Sequence, residues 1–379
     1  MDDIGRAFHQ NIEADGERLE HVLTGVLKGK RFRDEDIRFL LGLTHPPHVE
    51  RLTDAARKLR QAYFGNKVFL YGFIYFSTFC RNDCSFCHDR RSNTNIFRYR
   101  KTQREIISAA RRLAEEGVHL IDLTMGEDPH IFGSRDGGFD KLAEMVHEIK
   151  TITRLPVMVS PGVVTSDVLE KFAQAGADWY ACYQETHNPS LFATLRPGQS
   201  YSDRWKAKMD AKAAGLLVEE GILCGVGETM DDVAWSISMM KWLRATQVRV
   251  MSFVPQRGTP MAMHPPPDPV REMIIVSVLR LALPYRLIPA SLDVAGLSGL
   301  LPRLHAGANV ITSFIVPESG FLGVASGCLD VENAGRMPFS IGTILRRCGL
   351  ISGSAMDYSS WLKSHKSVPP EKKTGCLSQ

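Results

Sequence analysis

Eight apolar segments of strand length alternate with amphipathic segments of helical length, beginning near Lys67. This alternation is the pattern of βα units, in which the strands form a parallel sheet and the helices cover it. Eight such units are the number that closes a (β/α)8 barrel. The sequence therefore predicts an α/β fold of the TIM-barrel type. The predicted strands are Val68–Ser77, Val118–Thr124, Val157–Ser160, Asp178–Tyr183, Leu217–Leu223, Val248–Phe253, Arg286–Ala290 and Asn309–Val316.

Local signals mark where helices begin within this alternation. Thr102 and Glu105 have the spacing of a capping box, in which each side chain binds the backbone of the other residue. Gly117 follows as the stop signal of the same helix. Thr229 and Asp232 repeat the start signal further along the chain. We therefore expect helices to begin directly after Thr102 and Thr229.

Composition divides the chain into four parts. Residues 1–66 are predicted to form a helical N-terminal extension, because their apolar residues recur at helical spacing. Residues 67–323 form the predicted barrel, and residues 324–362 form a C-terminal appendage to which the sequence assigns no role. Residues 363–379 are polar and contain Pro and Lys, so they are predicted to be a flexible tail.

Formal charge argues against a nucleic-acid or membrane partner. Lys and Arg number 46 and Asp and Glu number 42, which leaves a net charge of +4.

The best apolar run, Met273–Leu283, is shorter than the ~20 residues that span a bilayer, and it contains Arg280. The acidic N-terminus lacks the features of a secretory signal. The sequence therefore predicts a cytoplasmic protein with reduced cysteines and a small-molecule partner.

Three of the eight cysteines lie within eight residues, directly after the first predicted strand. Cys80, Cys84 and Cys87 form a C-x3-C-x2-C loop, which the barrel fold places at its open mouth. Three thiolates can hold three irons of a [4Fe–4S] cluster and leave the fourth iron free to bind a small molecule. The sequence favours this interpretation.

Three other interpretations of the cysteine loop stay open at this point. A zinc site would need a fourth ligand, for which His88 is the nearest candidate. The segment Cys84–His88 also has the C-x-x-C-H pattern of haem attachment, although no export signal accompanies it. The third is a set of buried cysteines without metal, which conflicts with a loop rich in Arg, Asn, Asp and Ser.

The cysteine spacing, with the aromatic Phe86 directly before the last cysteine, resembles the signature of radical S-adenosylmethionine (radical SAM) enzymes. In that superfamily, the open iron binds the amino and carboxylate groups of S-adenosyl-L-methionine. From about Arg57 to about Gly323, the chain further resembles the methylornithine synthase family of pyrrolysine biosynthesis. Biotin synthases and hydrogenase maturases share the architecture and part of the pattern. The segments that carry the resemblance are Tyr63–Asn66, Asp122–Pro129, Tyr183–Thr186, Leu195–Ser200 and Pro289–Asp293.

The resemblance implies a binding site for S-adenosyl-L-methionine that includes Phe86 and residues at several strand ends. Gly126 and Glu127 are implied to lie along its methionine amino group, and Ser160 near its ribose. Glu185 suits its cationic or hydroxyl groups. Arg204 suits its carboxylate, although a helix-surface arginine is the plainer interpretation of that residue.

Charge balance and the resemblance point to the same substrate residues. L-Lysine carries two ammonium groups and one carboxylate, so a buried site for it needs about two anions and one cation. Asp122, Asp293 and Arg249 supply that set, and Ser291 adds a hydrogen-bond donor beside Asp293. The resemblance assigns these four positions to substrate binding.

The resemblance implies an isomerase that converts L-lysine to 3-methylornithine by hydrogen abstraction, fragmentation between Cα and Cβ, and recombination. No catalytic side chain is expected beyond the cluster and the cofactor radical, and an external donor such as ferredoxin or flavodoxin supplies one electron. Two alternatives are a radical SAM enzyme of the biotin synthase or hydrogenase maturase type that acts on another small amino acid, and a non-catalytic iron–sulfur protein. One departure stands out, since residues 88–91, His-Asp-Arg-Arg, are more polar than the aromatic run of the relatives.

Overall fold

Eight parallel strands form the predicted barrel in a computed structural model that describes residues 3–30, 32–134, 137–317, 320 and 336–366. All eight predicted strands are present, and the fold class is confirmed. Their order around the barrel is β6-β5-β4-β3-β2-β1-β8-β7. The strands are β1 (Lys67–Ser77), β2 (Leu120–Met125), β3 (Val157–Ser160), β4 (Trp179–Ala181), β5 (Leu217–Cys224), β6 (Gln247–Ser252), β7 (Pro289–Ser291) and β8 (Val310–Phe314).

The barrel closes between β6 and β7 through one short contact. Gln247, the first residue of β6, forms a single bridge with Leu287, just before β7. The Val248 amide donates to the Leu287 carbonyl at 3.0 Å, and the Leu287 amide donates to Thr246 at 3.3 Å. The pairing lies at the amino end of β6, and the carboxyl ends of β6 and β7 are not paired with each other among the described residues. The barrel is therefore tight at its base and open at its mouth.

Helices follow the strands and cover the outside of the barrel. Both predicted helix starts are confirmed, and each has a capping box, formed by Thr102 with Glu105 and by Thr229 with Asp232. The helices up to β4 are α1 (Asp3–Leu27), α2 (Asp34–Leu41), α3 (Pro46–Phe64), α4 (Gln103–Glu115), α5 (Pro129–Phe132), α6 (Gly138–Thr153) and α7 (Ser166–Gln174). Those after β4 are α8 (Pro189–Leu195), α9 (Tyr201–Ala213), α10 (Met230–Leu243), α11 (Pro269–Ala282), α12 (Leu300–His305), α13 (Gly342–Arg347) and α14 (Ala355–Lys366).

The N-terminal helices pack on one flank of the barrel. Helix α3 lies against α11 and α12, and α2 lies against α10 and α11. Leu52 of α3 is fully buried in this contact. Arg271 of α11 donates to the Leu41 carbonyl at the end of α2, at 2.7 Å. No helix in the described ranges has the length and apolar character that crossing a membrane requires.

The C-terminal residues form the floor of the barrel. Strand β9 (Ile351–Ser352) pairs with the start of β1, and α14 follows beneath the barrel. The ring of Trp361 stacks on that of Trp179 in β4, with centroids 5.9 Å apart. Helix α14 continues to Lys366, through the first four residues of the predicted tail. The rest of that tail, 367–379, and residues 324–335 of the predicted appendage lie outside the described residues.

Candidate active site

A cavity of about 250 Å³ occupies the mouth of the barrel, where the strands end. Twelve of the thirteen site residues predicted from the sequence line it, so folding brings together positions that span more than 200 residues of chain. They are Cys80, Cys84, Phe86, Cys87, Asp122, Gly126, Glu127, Ser160, Glu185, Arg204, Arg249 and Asp293. Ser291 is buried outside the lining, and its hydroxyl accepts a hydrogen bond from the Asp293 amide at 3.2 Å.

The cysteine loop is fixed to the end of α8. The Ser85 amide and hydroxyl donate to the carbonyls of Leu195 and Thr194, both at 2.8 Å. The Cys84 sulfur accepts hydrogen bonds from Gln199 at 3.0 Å and from Arg196 at 3.3 Å. These contacts hold the loop at the cavity wall.

The end of β2 approaches the cysteine loop so closely that Gly126 is required there. A Cβ at this position would lie 2.5 Å from the Phe79 carbonyl oxygen and 2.8 Å from the Cys80 Cβ. Both distances are well inside van der Waals contact, so any larger residue would displace the loop. The glycine therefore lets backbone, rather than a side chain, form the wall beside Cys80.

The thiols suit an iron–sulfur cluster better than a single ion. Among the described residues, no three His, Cys, Asp or Glu side chains converge on a point that would hold one metal ion. His88, the fourth ligand of the zinc interpretation, does not line the cavity. A [4Fe–4S] cluster binds each thiolate through a different iron, so its thiols surround a space instead. Burial raises the pKa of Cys80 to about 11, so binding of iron must release its proton.

Glu127 links the end of β2 to the cysteine loop and to two other segments of the cavity wall. Its carboxylate accepts hydrogen bonds from Arg81 at 2.8 Å, from the Val163 amide at 3.0 Å and from Arg204 at 3.4 Å. Arg204 also donates to the Cys182 sulfur at 3.0 Å. The Arg204 Nε is buried and has no hydrogen-bond partner among the described residues. The Glu127 side chain is thus occupied by protein, whereas Arg204 keeps one donor for a ligand.

Glu185 enters the cavity from a strained backbone position. Its φ of 68° lies in the left-handed region, and its backbone bridges Ile222 of β5. Burial raises the pKa of Glu185, while the nearby Arg196 and Arg204 act in the opposite direction. Arg196 donates to the Glu185 carboxylate at 2.6 Å and lies 5.2 Å from the centre of the Phe86 ring. Arg196 therefore links the cysteine loop to Glu185.

Deeper in the cavity, Asp122 lacks a cationic partner among the described residues. It accepts a hydrogen bond from the Ser160 hydroxyl at 2.8 Å. Burial, with a smaller contribution from the charge of Glu219, raises the pKa of Asp122 to about 7. A buried carboxylate in this state favours a ligand that brings a positive charge.

Arg249 is paired with Glu219. The Arg249 Nε donates to Glu219 at 2.7 Å, and the Tyr183 hydroxyl donates to the other Glu219 oxygen at 2.9 Å. Arg249 Nη1 donates to the Thr312 hydroxyl at 3.2 Å, while Nη2 is buried and finds no partner in the part of the chain that the structure describes. Protein contacts thus fix Nε and Nη1 of this guanidinium, and the two N–H groups of Nη2 are available.

Asp293 is paired with Arg336, which enters from the C-terminal part of the chain. Arg336 Nη1 donates to Asp293 at 2.6 Å, and its side chain is 1% exposed. The other Asp293 oxygen accepts hydrogen bonds from the hydroxyls of Tyr75 at 2.6 Å and Ser313 at 2.7 Å. The Ile315 amide donates to the Arg336 carbonyl at 3.1 Å, which ties Arg336 to the chain after β8.

Sequence reasoning missed three charged residues of the site. Arg196 stands in one of the segments that carried the family resemblance, which was the signal for it. Glu219 is a carboxylate inside an apolar strand, the same signal that singled out Arg249 in β6. Arg336 gave no signal, because it follows the part of the chain that carries the resemblance.

Comparison with known proteins identifies the family. The Radical SAM superfamily profile matches residues 74–240. The 3-methylornithine synthase of Methanosarcina barkeri is 44% identical over 322 residues, which cover 85% of this chain and 90% of that protein. The [FeFe] hydrogenase maturase subunit HydE of Thermotoga maritima is 32% identical over 288 residues, covering 75% of this chain and 81% of that protein.

A solved structure agrees with the sequence comparison. The crystal structure of methylornithine synthase (PylB) matches with a TM-score of 0.84 and 41% identity, covering 90% of this chain and 99% of that one. Radical SAM enzymes use a [4Fe–4S] cluster and S-adenosyl-L-methionine, and the thiol-lined cavity fits both. By fold, site and sequence, the chain belongs to the methylornithine synthase family of the radical SAM superfamily.

Proposed function

We propose that this protein is a 3-methylornithine synthase, which isomerises L-lysine in the first step of pyrrolysine biosynthesis. The charge of the inner cavity carries this proposal. Asp122, Arg249 and Asp293 line this part of the cavity, with Glu219 paired to Arg249 and Arg336 paired to Asp293; when Asp122 is ionised, the five groups together leave one negative charge. L-Lysine, with two ammonium groups and one carboxylate, has the opposite net charge, and a buried site must balance the charge that it takes up.

Three groups have the capacity to orient lysine. Asp122 accepts one ammonium, since no cation among the described residues forms an ion pair with it and its nearest charged neighbour, Arg249, is paired with Glu219. The free Nη2 of Arg249 donates to the carboxylate. Asp293 already accepts three hydrogen bonds, so about one of its four acceptor positions is left for the second ammonium.

The residues predicted for the cluster and for S-adenosyl-L-methionine would hold these cofactors. Cys80, Cys84 and Cys87 would bind three irons, and S-adenosyl-L-methionine would lie against Gly126 and its neighbours on the cavity wall. When bound and reduced by an external donor such as a ferredoxin or flavodoxin, these cofactors supply the radical that removes a hydrogen atom from lysine. The skeleton of the substrate then breaks between Cα and Cβ and rejoins at a different carbon.

The protein's contribution is positioning and exclusion of water, and we assign no side chain as an acid or base. Phe73, Met251 and Phe253 line the cavity between the charged groups. Such walls keep water and reactive side chains away from a carbon radical. We place the reaction in the cytoplasm, where thiols stay reduced.

Anaerobic reconstitution with iron and sulfide tests the proposal. With S-adenosyl-L-methionine, L-lysine and dithionite, we expect 3-methylornithine and 5′-deoxyadenosine in the products by mass spectrometry. Formation of 5′-deoxyadenosine only with another small amino acid would favour a relative of the biotin synthase or hydrogenase maturase type. A reconstituted cluster that never cleaves the cofactor would favour a non-catalytic iron–sulfur protein.

A further inference from the structure

The segment that follows the third cysteine concentrates the positive charge of the chain. Residues 88–112 contain eight Arg or Lys and two Asp or Glu, a formal charge of +6, whereas the whole chain carries +4. The rest of the chain is therefore slightly acidic. Charge of one sign gathered in one region steers the approach of partners of opposite charge.

This basic segment is fastened to the cysteine loop. Arg98 donates to the carbonyls of Thr78, Asp89 and Arg90. The Thr78 amide donates to the Tyr99 carbonyl at 3.1 Å, so the segment runs beside the end of β1. Because these hydrogen bonds join the segment directly to the end of β1, a protein that binds the segment would lie next to the wall of the cluster site.

The segment presents an aromatic ring together with positive charge. The Phe97 side chain is 76% exposed, although it is large and apolar. The side chain of Arg91 is 67% exposed, and Arg100 and Arg104 are exposed as well. We call Arg91, Phe97, Arg100, Arg104 and the exposed Arg111 of α4 the basic face. Aromatic residues and Arg are enriched at protein–protein interfaces, so this composition is typical of a surface that binds another protein.

The positive charge continues along α4. Arg104 and Arg111 line a groove between α4 and α6. Among the described residues of its lining, Glu148 is the one acid, and it accepts a hydrogen bond from Gln103 at 2.7 Å. Arg91 and Arg100, by contrast, pair with Asp83 and Asp128. Arg104 and Arg111 form no ion pair among the described residues, so they carry unpaired positive charge.

We infer that the basic face docks a small acidic one-electron carrier protein that reduces the cluster. One electron leaves the carrier, which is oxidised, and enters the cluster, which is reduced, and no other group is transferred. The exposed Phe97 and the interspersed acids favour a protein over a nucleic acid, whose phosphates would require positive charge throughout. This inference rests on the proposed function, since it names the partner of the same site.

Binding of oxidised flavodoxin to the reconstituted enzyme tests the inference without turnover. Calorimetry should detect binding that weakens as the ionic strength rises past about 0.15 M. The double substitution Arg104→Glu with Arg111→Glu should raise Kd by about tenfold or more, and Phe97→Ala should raise it several-fold. Lys241→Glu, an exposed charge at the far end of α10, should leave Kd unchanged. A basic cytochrome c should not bind.

A second measurement separates docking from chemistry. With reduced flavodoxin as the donor, the double variant should turn over at least about fivefold more slowly than wild type, because the basic face no longer attracts the acidic carrier electrostatically. With dithionite, which needs no docking surface, the two should agree. Equal Kd values for all variants, or binding of duplex DNA in preference to flavodoxin, would overturn the inference. An equal loss of turnover in the double variant with dithionite as the donor would also overturn the inference. A wild type that is inactive with dithionite would instead count against the proposed function alone.

Discussion

At the scale of single residues, the unpaired Asp122 gives the site a pH dependence. Its pKa is raised to about 7, so the folded protein binds a proton there that the unfolded chain, with a pKa of 3.8, releases. The contribution of this group to stability is therefore present at low pH and is lost as the pH rises from about 4 to about 7. At neutral pH and above, ionisation of the buried Asp122 therefore lowers the free energy of unfolding.

Asp122→Asn should separate the role of this carboxylate in lysine binding from its effect on stability. At pH 8 we expect the KM for lysine to rise by about 100-fold or more, because a buried ammonium loses its charged partner. The melting temperature at pH 8 should rise, and that gain should shrink as the pH falls toward 4. Titration of lysine turnover and thermal unfolding over this range give both quantities. Asp15→Asn makes the same chemical change at an exposed position of α1 and serves as the matched control. An unchanged KM in the Asn variant would exclude Asp122 as an ammonium ligand.

At the scale of elements, the pair of Arg336 and Asp293 joins the C-terminal part of the chain to the end of β7. Arg336→Met keeps most of the volume and leaves a buried carboxylate without its cation, which should cost about 3–5 kcal/mol in the free energy of unfolding. Arg336→Met combined with Asp293→Asn should recover much of that stability but not the activity. Urea unfolding of the two single variants and the double variant measures the coupling. A cost below about 1 kcal/mol for Arg336→Met would show that the pair does not form in solution.

At the scale of the whole molecule, α14 closes the end of the barrel opposite the active site. The Tyr358 side chain is buried, and its hydroxyl lies 2.8 Å from that of Tyr71 in β1. Tyr358→Ala should therefore cost about 3–5 kcal/mol in the free energy of unfolding, as removal of buried aromatic rings does. Met356→Ala, at an exposed position of the same helix, should change it by less than about 0.5 kcal/mol.

This floor is remote from the chemistry, so the Tyr358 variant should keep its activity at low temperature. Its thermal inactivation should begin several degrees lower than in wild type, as a loss of that size implies. Activity assays after heating, with Met356→Ala in parallel, check this expectation. Loss of activity in the cold without loss of folding would mean that the floor also shapes the mouth.

The fold and the cysteine loop were predictable because their signals are local. Apolar periodicity, capping residues such as Thr102 and Glu105, and the spacing of Cys80, Cys84 and Cys87 are all legible within a few residues of one another. Strand ends were less predictable. The fourth strand was expected over Asp178–Tyr183 but covers Trp179–Ala181, because pairing with its neighbours decides where a strand ends.

By itself, the sequence determined the βα alternation, the thiol trio and the types of charged residue at the strand ends. Only the tertiary structure decided which charges neutralise each other. Arg249 pairs with Glu219 across 30 positions of sequence, and Arg336 with Asp293 across 43, while Asp122 is left without a cation among the described residues. The reason is physical: the curvature of the barrel and the register of its strands, which no local pattern encodes, set the distances between these side chains.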